Sequence, residues 1–305
     1  MSVQPVQRRQ ASSERDRCDL SILTPSYGYA QFLPDAIASV KGQRAVSVEH
    51  VIQDGASTDG TVALLESYGE GDLLWRSEPD QGQSDALNRA LQLAGGRWVG
   101  WLNADEFYLP SGLERLVAAG DAAGADVVYG DAIFVDGEGR MQRLLPEHAF
   151  NRFVLTSWGP FIQTASLIVR RSALGSDPID ASMRRMMDWD LFLRMAREGA
   201  RFLYVPVPVG VFRAHDTRVT ATERRVFLRP LHLGDGFGRE YAMLRERYGA
   251  LRRRRLGHLV HGALKLGSGS YRRQLRARGL RGADMRWFRS PEAMASCERL
   301  LECYR

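Results

Sequence analysis

Four polar turns, each following a short apolar run, carry the side chains in this chain best suited to chemistry. They read Thr24-Pro25-Ser26-Tyr27, Asp54-Gly55-Ala56-Ser57-Thr58-Asp59-Gly60-Thr61, Glu78-Pro79-Asp80-Gln81-Gly82 and Asn103-Ala104-Asp105-Glu106. Three of them contain acids, and hard cations such as Mg²⁺ and Mn²⁺ prefer oxygen ligands. A carboxylate at Asp105, helped by a second acid, could hold such an ion against the two phosphates of a nucleotide diphosphate and offset charge building on a leaving group. Asp105 and Glu106 equally suit capping of a helix that starts near Ser111. Asp54 could accept a hydrogen bond from a nucleobase N–H, as uracil N3 offers, or be a turn acid with no ligand. Gly55 and Gly60 permit unusual backbone angles, and Ser57, Thr58 and Asp59 can cap the next helix. Asp80 suits a second nucleotide contact. Asp85 and Asn88, one helical turn apart, also read as a solvated helix start.

A transfer reaction needs a base as well as a bound leaving group. The stretch Met187-Asp188-Trp189-Asp190-Leu191-Phe192-Leu193-Arg194 places Asp188 at the start of a helix, where the dipole favours a carboxylate. There it could take a proton from an attacking hydroxyl, or serve only as an N-cap. Asp190 supports that site or pairs with Arg194 at i+4. Arg213 could offset diphosphate charge or lie at the surface. Trp158, Phe161 and Gln163 could line an acceptor cleft or belong to the core.

The elements that must position these residues alternate in type. Leu20–Leu23, His50–Ile52, Leu73–Trp75, Trp98–Leu102 and Asp126–Tyr129 read as strands. Phe32–Val40, Thr61–Tyr68 and Ser84–Leu93 carry apolar residues at helical spacing, with Gly95-Gly96 ending the last. This order implies an α/β fold with a mostly parallel sheet covered on both faces. In such sheets the ligand crevice lies at the carboxyl ends of the strands, where all four turns fall. After Asp136 the pattern changes: Ile162–Val169 reads as a strand, Asp188–Arg197 as a helix and Phe202–Val211 as extended chain. Beyond about Thr222 the chain reads as helical and Arg-rich.

The net charge of +6 over 305 residues is unevenly spread. Residues 239–289 hold fifteen Lys or Arg against three acids, and the remainder is net acidic. A basic amphipathic helix with Arg252–Arg255 before Leu256–Leu266 suits an anionic membrane surface. A solvated helical face or an oligomer contact is the alternative, and no nucleic-acid-binding motif accompanies the charge. Cys18, Cys297 and Cys303 form no CxxC pair, the first 17 residues lack the apolar core of a secretory signal, and no stretch approaches the length of a membrane span. The expectation is a cytoplasmic protein, peripheral on the inner face of the cell membrane if the basic tail docks there.

Taken together and in order, these motifs resemble glycosyltransferase family 2, over roughly Leu20 to Thr220. The Asp54–Thr61 turn looks like the family's nucleotide-binding loop, Asp80–Asn88 is similar to its third motif, and Asn103-Ala104-Asp105 sits where the family places its DxD metal motif. The resemblance implies a GT-A, Rossmann-like domain over 18–221, with a nucleotide-sugar half (18–136) and an acceptor half (137–221). A flexible lead-in (1–17) and a basic helical extension (222–305) flank it. It implies inverting, non-processive transfer from a nucleotide-sugar, UDP by default, to a glycan or lipid-linked glycan. Asp188 would be the base. Thr24, Pro25, Ser26, Tyr27, Asp54, Asp80, Asn103, Ala104, Asp105 and Arg213 would contact the donor. Asp105 and His215 would hold Mn²⁺ or Mg²⁺. The sequence departs from the family pattern with Asn103 at the first DxD position and Glu106 where Asp is common, which puts metal preference in question, and with Met187 where some members carry an acid before the base. Processive synthases carry Gln-x-x-Arg-Trp, and Arg286-Trp287 lacks that glutamine. A non-catalytic nucleotide-sugar-binding subunit is the alternative reading.

Overall fold

The computed structural model describes residues 18–69, 73–215, 235–249 and 254–304. The expected lead-in, the boundary between residues 221 and 222, and Arg252-Arg253 lie outside the described residues. The chain opens as β1 (Leu20–Ser26), α1 (Leu33–Lys41), β2 (Val48–Asp54), α2 (Thr61–Glu66), β3 (Leu74–Ser77), α3 (Gln83–Leu93) and β4 (Trp98–Trp101). β1 and β4 are almost wholly buried, as strands covered on both faces must be. α1 starts with proline in its first turn and Asp35 beside it, both favourable at a helix N-terminus.

The second half adds β5 (Phe107–Tyr108), α4 (Gly112–Ala123), β6 (Val127–Val135), β7 (Met141–Leu145), α5 (Arg152–Ser157), β8 (Leu167–Arg170), α6 (Met187–Arg197) and β9 (Phe202–Arg213). The C-terminal helices are α7 (Asp235–Tyr248), α8 (Arg254–Gly267), α9 (Ser270–Arg276) and α10 (Pro291–Glu302). All strands join one sheet in the order β3-β2-β1-β4-β8-β6-β9-β5, with β7 on β6.

The first four strands are parallel, as expected. Beyond them the sheet is mixed: β8 is antiparallel to both β4 and β6, and β7 is antiparallel to β6. The β6–β7 connection needs no crossover helix because Asp136 accepts the amides of Glu138 and Arg140 at 3.1 and 2.9 Å, closing a tight turn. The expected strand over Ile162–Val169 starts only at Leu167, since Thr164–Ser166 forms a 3₁₀ turn. β9 runs parallel to β6. Two reversals about β8 cancel, so β9 points the same way as β1–β4.

Apolar side chains fill both faces of the sheet. Leu87, Leu91, Trp189 and Phe192 cover one face, and Leu33, Ile37, Leu113 and Leu116 the other. A third cluster joins Phe107, Ile133 and Met141 to Leu280, Met285 and Leu300 of the C-terminal region. Trp287 Nε1 donates to the Tyr108 carbonyl at 2.9 Å, and Arg289 Nε to Asp35 at 2.9 Å. The basic tail is therefore part of the core as well as of the surface.

Gly210 lies so close to the 3₁₀ turn that a β-carbon there would meet the Ala165 carbonyl oxygen at 1.9 Å. Gly210→Ala is expected to cost about 3 kcal/mol, since overpacking against backbone cannot relax by a rotamer change. A urea unfolding midpoint lowered at constant slope would check it.

Candidate active site

Parallel register brings the first three turns side by side. Ser26 lies opposite Asp54, and Asp54 opposite Ser77. The buried Asp54 carboxylate accepts the Ser57 amide at 2.9 Å, the Ser57 hydroxyl at 2.5 Å and the Ser77 hydroxyl at 2.6 Å. A carboxylate has about four lone-pair sites, so these three bonds occupy all but one. Ser57 Oγ in turn accepts the Gly28 amide at 2.9 Å, and Asp59 the Ala30 amide at 2.9 Å. These bonds lace the first turn to the second. Ala56 sits in the left-handed region at φ 62°, a conformation that alanine adopts only when its surroundings hold it there.

Gly55 is packed between two neighbours. A β-carbon there would lie 3.0 Å from an Asp80 carboxylate oxygen and 3.2 Å from the Tyr27 ring. Tyr27 is 70% exposed, a flat face at the carboxyl edge of the sheet. Asp80 accepts the Gly82 amide at 2.8 Å, and burial, with Asp85 and Asp54 nearby, raises its pKa. Pro25 is partly exposed, whereas Ser26 is buried. Thr24, expected at the donor, is fully buried, and its hydroxyl bonds to His50 at 2.8 Å inside the sheet. Burial pushes the His50 imidazole down to about 3, so that ring is neutral.

The fourth turn is fixed from three sides. Asn103 Oδ1 accepts Gln83 Nε2 at 2.6 Å and Trp101 Nε1 at 2.9 Å. Glu106 Oε2 accepts the Asn103 amide at 3.3 Å. The neutral amide at Asn103 is thus used as an acceptor by the scaffold, and Ala104 is buried beside it. Asp105 Oδ2 lies 2.9 Å from His215 Nε2, and both side chains are almost fully enclosed. His215 follows β9, and its ring packs on Phe32 with centroids 4.3 Å apart. α4, the helix after this turn, starts at Gly112 with no side-chain cap, so neither Asp105 nor Glu106 caps it.

Asp188 enters the same edge of the sheet by way of α6. That helix leads into β9 at its amino end, so the start of α6 lies at the carboxyl edge. The preceding segment is pinned to the start of α3: Ser84 donates to the Met183 carbonyl at 2.5 Å, and Asn88 bonds both backbone groups of Ile179 at 2.8 and 3.1 Å. Asn88 is thus a buried bridge between the two halves, whereas Asp85 accepts the Gln81 amide and pairs with Arg89. Asp188 Oδ1 accepts its neighbour's amide, Trp189 N, at 2.7 Å. Burial, opposed by that bond and aided by the Glu240 carboxylate, raises its pKa to about 6.

Glu240, on α7, is the neighbour of Asp188 that sequence reasoning missed. Its carboxylate accepts the amides of Arg184, Arg185 and Met186 at 2.9, 3.0 and 2.8 Å, shaping the turn before Asp188. It is one of three acids in the basic stretch, and nothing in its local sequence marks it. Asp190 pairs with Arg247 and Tyr248 of α7 at 3.2 and 3.0 Å rather than with Arg194. Arg213, expected at the diphosphate, is buried against Asp35 at 2.6 Å and donates to the Gly137 carbonyl. Its guanidinium lies over the Phe32 ring, and so braces the surface on which His215 rests. Trp158 and Phe161 pack with His258, His261, Tyr129 and His148 and belong to the core.

A family model described as Glycosyl transferase family 2 matches residues 21–192, more than half of the chain. The chain belongs to that family, and it is a glycosyltransferase. A PGL/p-HBAD biosynthesis glycosyltransferase of Mycobacterium bovis is 31% identical over 203 residues, covering 61% of this chain and 74% of that protein. Succinoglycan biosynthesis protein ExoO of Rhizobium meliloti is 29% identical over 147 residues, 48% of this chain and 42% of its own. Among solved structures, S. aureus TarS 1-349 in complex with UDP-GlcNAc superposes with a TM-score of 0.59 at 16% identity, covering 94% of this chain and 91% of that one. Mannosyltransferase PcManGT from Pyrobaculum calidifontis, in complex with GDP-Man and Mn²⁺, gives 0.53 at 18%, covering 93% and 86%. The fold is GT-A.

Glu240→Gln removes a negative charge close to Asp188 while keeping one acceptor oxygen. The Asp188 pKa is expected to fall toward the ordinary carboxylate range. A carboxyl NMR titration, comparing wild type with this variant, checks the direction.

Proposed function

We propose that the protein transfers a sugar, with inversion, from a nucleotide-diphosphate sugar to a hydroxyl of a glycan or lipid-linked glycan, one unit at a time. The observation that carries this reading is the 2.9 Å approach of Asp105 and His215, on turns 110 residues apart, at the edge where Asp188 starts its helix. The donor set suits a divalent cation. Neighbouring ligands of an octahedral ion with bonds near 2.1 Å lie about 3 Å apart, so a carboxylate oxygen and an imidazole nitrogen at this spacing can share one ion. Mn²⁺ accepts both donor types more readily than Mg²⁺ does. Such an ion would supply Lewis-acid stabilisation of the departing diphosphate.

The chain's own residues do the rest. Tyr27 and Asp80, brought together over Gly55, frame a slot for the nucleobase, and the remaining Asp54 lone pair could accept a base N–H. A uracil nucleotide fits that acceptor, and UDP is the donor nucleotide we favour. The turn from Asn103 to Asp105 presents the metal-binding carboxylate. Asp188 takes the proton from the acceptor hydroxyl as it attacks opposite the leaving group. Residues 18–136 form the donor half in this reading, 137–221 the acceptor half and 222–305 the tail. Relatives named for PGL/p-HBAD and succinoglycan biosynthesis support a role in building cell-surface glycans.

Nucleotide diphosphate release from a panel of nucleotide-sugars, with Mn²⁺, Mg²⁺ or chelator, tests the reading. Turnover should need the ion and vanish with Asp105→Ala. Asp188→Asn should lose about 10²- to 10⁴-fold in rate and still bind donor. Because ionising the half-buried Asp188, whose pKa is raised, opposes folding, this variant should unfold at the same or a higher temperature at neutral pH. Wild-type turnover by Asp188→Asn would remove that residue from the mechanism. The base must be ionised, so kcat/KM should fall tenfold per pH unit below about 6.

The tail supports a second contact, with the anionic inner face of a membrane. Among the described residues no helix is long and apolar enough to cross a bilayer. Leu256, Leu259, Leu266, Tyr271 and Leu275 are each exposed by between 44% and 70%, with Arg255, Arg272 and Arg276 exposed among them. Exposed apolar side chains interleaved with cations suit an interfacial helix. Flotation with anionic vesicles should capture the protein, and Leu259→Asp with Leu266→Asp should release it. Equal capture by zwitterionic vesicles would overturn the electrostatic part.

A further inference from the structure

Glu147, His148 and His261 converge where nothing in the transfer reaction requires them. β7 runs back from the carboxyl edge, so Glu147 and His148 follow it away from Asp105 and His215, and His261 comes from the middle of α8. One ligand atom from each lies within 4.8 Å of the other two. His148 Nδ1 is 2.7 Å from the Ala149 carbonyl oxygen, which holds the proton on that nitrogen. Nε2 is then the lone-pair nitrogen, and it lies 2.8 Å from His261 Nδ1. An imidazole oriented by a backbone carbonyl through its outer nitrogen is the usual second-shell arrangement of a metal-binding histidine.

Glu147 supplies the independent observation. Its side chain is 6% exposed, and Lys265 Nζ sits 3.2 Å from Oε1. Oε2 is buried with no hydrogen-bond partner among the described residues. An orphaned buried carboxylate oxygen is costly, and the hydrogen bond between the two histidines does nothing to satisfy it.

We propose that Glu147, His148 and His261 bind a divalent transition-metal ion of the zinc class, which fastens α8 to the transferase domain. Two imidazoles and a carboxylate are a borderline donor set that suits zinc better than the hard ions of the diphosphate site, and water completes four-coordination. Tetrahedral ligation asks for ligand atoms about 3.3 Å apart, so the two ring nitrogens, 2.8 Å apart, would separate by about half an ångström and the carboxylate oxygen, within 4.8 Å of both, would settle at the same spacing. Lys265 keeps one carboxylate oxygen and leaves the other for the ion. Asp131, Arg273, His258, Tyr129 and Tyr204 are further charged or titratable groups nearby. The ion would join positions 113 residues apart, across the packing of α5 on α8.

The test uses the full-length protein carrying Asp105→Ala and His215→Ala, so that the diphosphate site cannot contribute. After chelator treatment and dialysis, Co²⁺ is titrated in and its visible absorption recorded. One equivalent should give the intense bands of a four- or five-coordinate site without a thiolate charge-transfer band. Zn²⁺ at about 100 times its dissociation constant should raise the unfolding midpoint by about 5 °C. His148→Gln or His261→Gln should abolish both effects. Should those variants fail to fold, the Co²⁺ spectrum of the parent decides alone. No visible bands and an unmoved midpoint in the parent, or bands that persist in a folded His261→Gln variant, would overturn the proposal. None of these readouts depends on sugar transfer, so the outcome is separate from that of the catalytic reading.

Discussion

Strand direction is the constraint on which the site depends. A parallel strand always delivers its following turn to the same edge, so β1 to β4 set down four polar turns in a row. The sheet then reverses at β8 and reverses again at β6, and β9 emerges with the original polarity. Only for that reason does His215 arrive beside Asp105. A single reversal would have carried the imidazole to the opposite edge, roughly a strand length of about 20 Å away. The chemistry is thus a product of topology first and of residue type second.

Around that edge most polar side chains are spent on the protein itself. Asp54 gives three of its lone pairs to serines, Asn103 gives its amide oxygen to Gln83 and Trp101, and Ser84 and Asn88 hold the segment leading to Asp188. Such bonds fix the turns before any ligand arrives, which lowers the reorganisation needed when charge develops. Asp80, Asp105, Asp188 and the Tyr27 ring are then held at defined places. The strained Ala56 backbone fits the same account, since the loop around it is tied at both ends.

Much of this was legible in the sequence because the informative patterns are short. The strand-turn-helix rhythm of residues 20–102 needs only local apolar spacing, and the Asp54–Thr61 and Asn103–Asp105 turns announce themselves by composition. Local spacing failed where partners are distant. Arg213 looks like a phosphate ligand until Asp35, 178 residues earlier, is found against it. Thr24 sits in a polar turn motif, yet the pleat points its hydroxyl at His50. Asn88 reads as a solvated helix residue, but it faces a segment 91 residues on. The mixed second half was hidden because a tight turn at Asp136 replaces the crossover helix that a parallel connection would have required. The role of Glu240 lay beyond any motif, masked by the arginines around it.

The three amides that Glu240 receives tie the C-terminal region to the chemical centre in a way the division into domain and tail conceals. A tail of this kind is not an exchangeable module. Swapping it for another recognition element would free the Arg184–Met186 amides and alter the electrostatic field at Asp188 in one stroke. A change in α7 that displaces Glu240 is thus felt at once by the acid that starts α6, in its backbone setting and in how readily it gives up its proton.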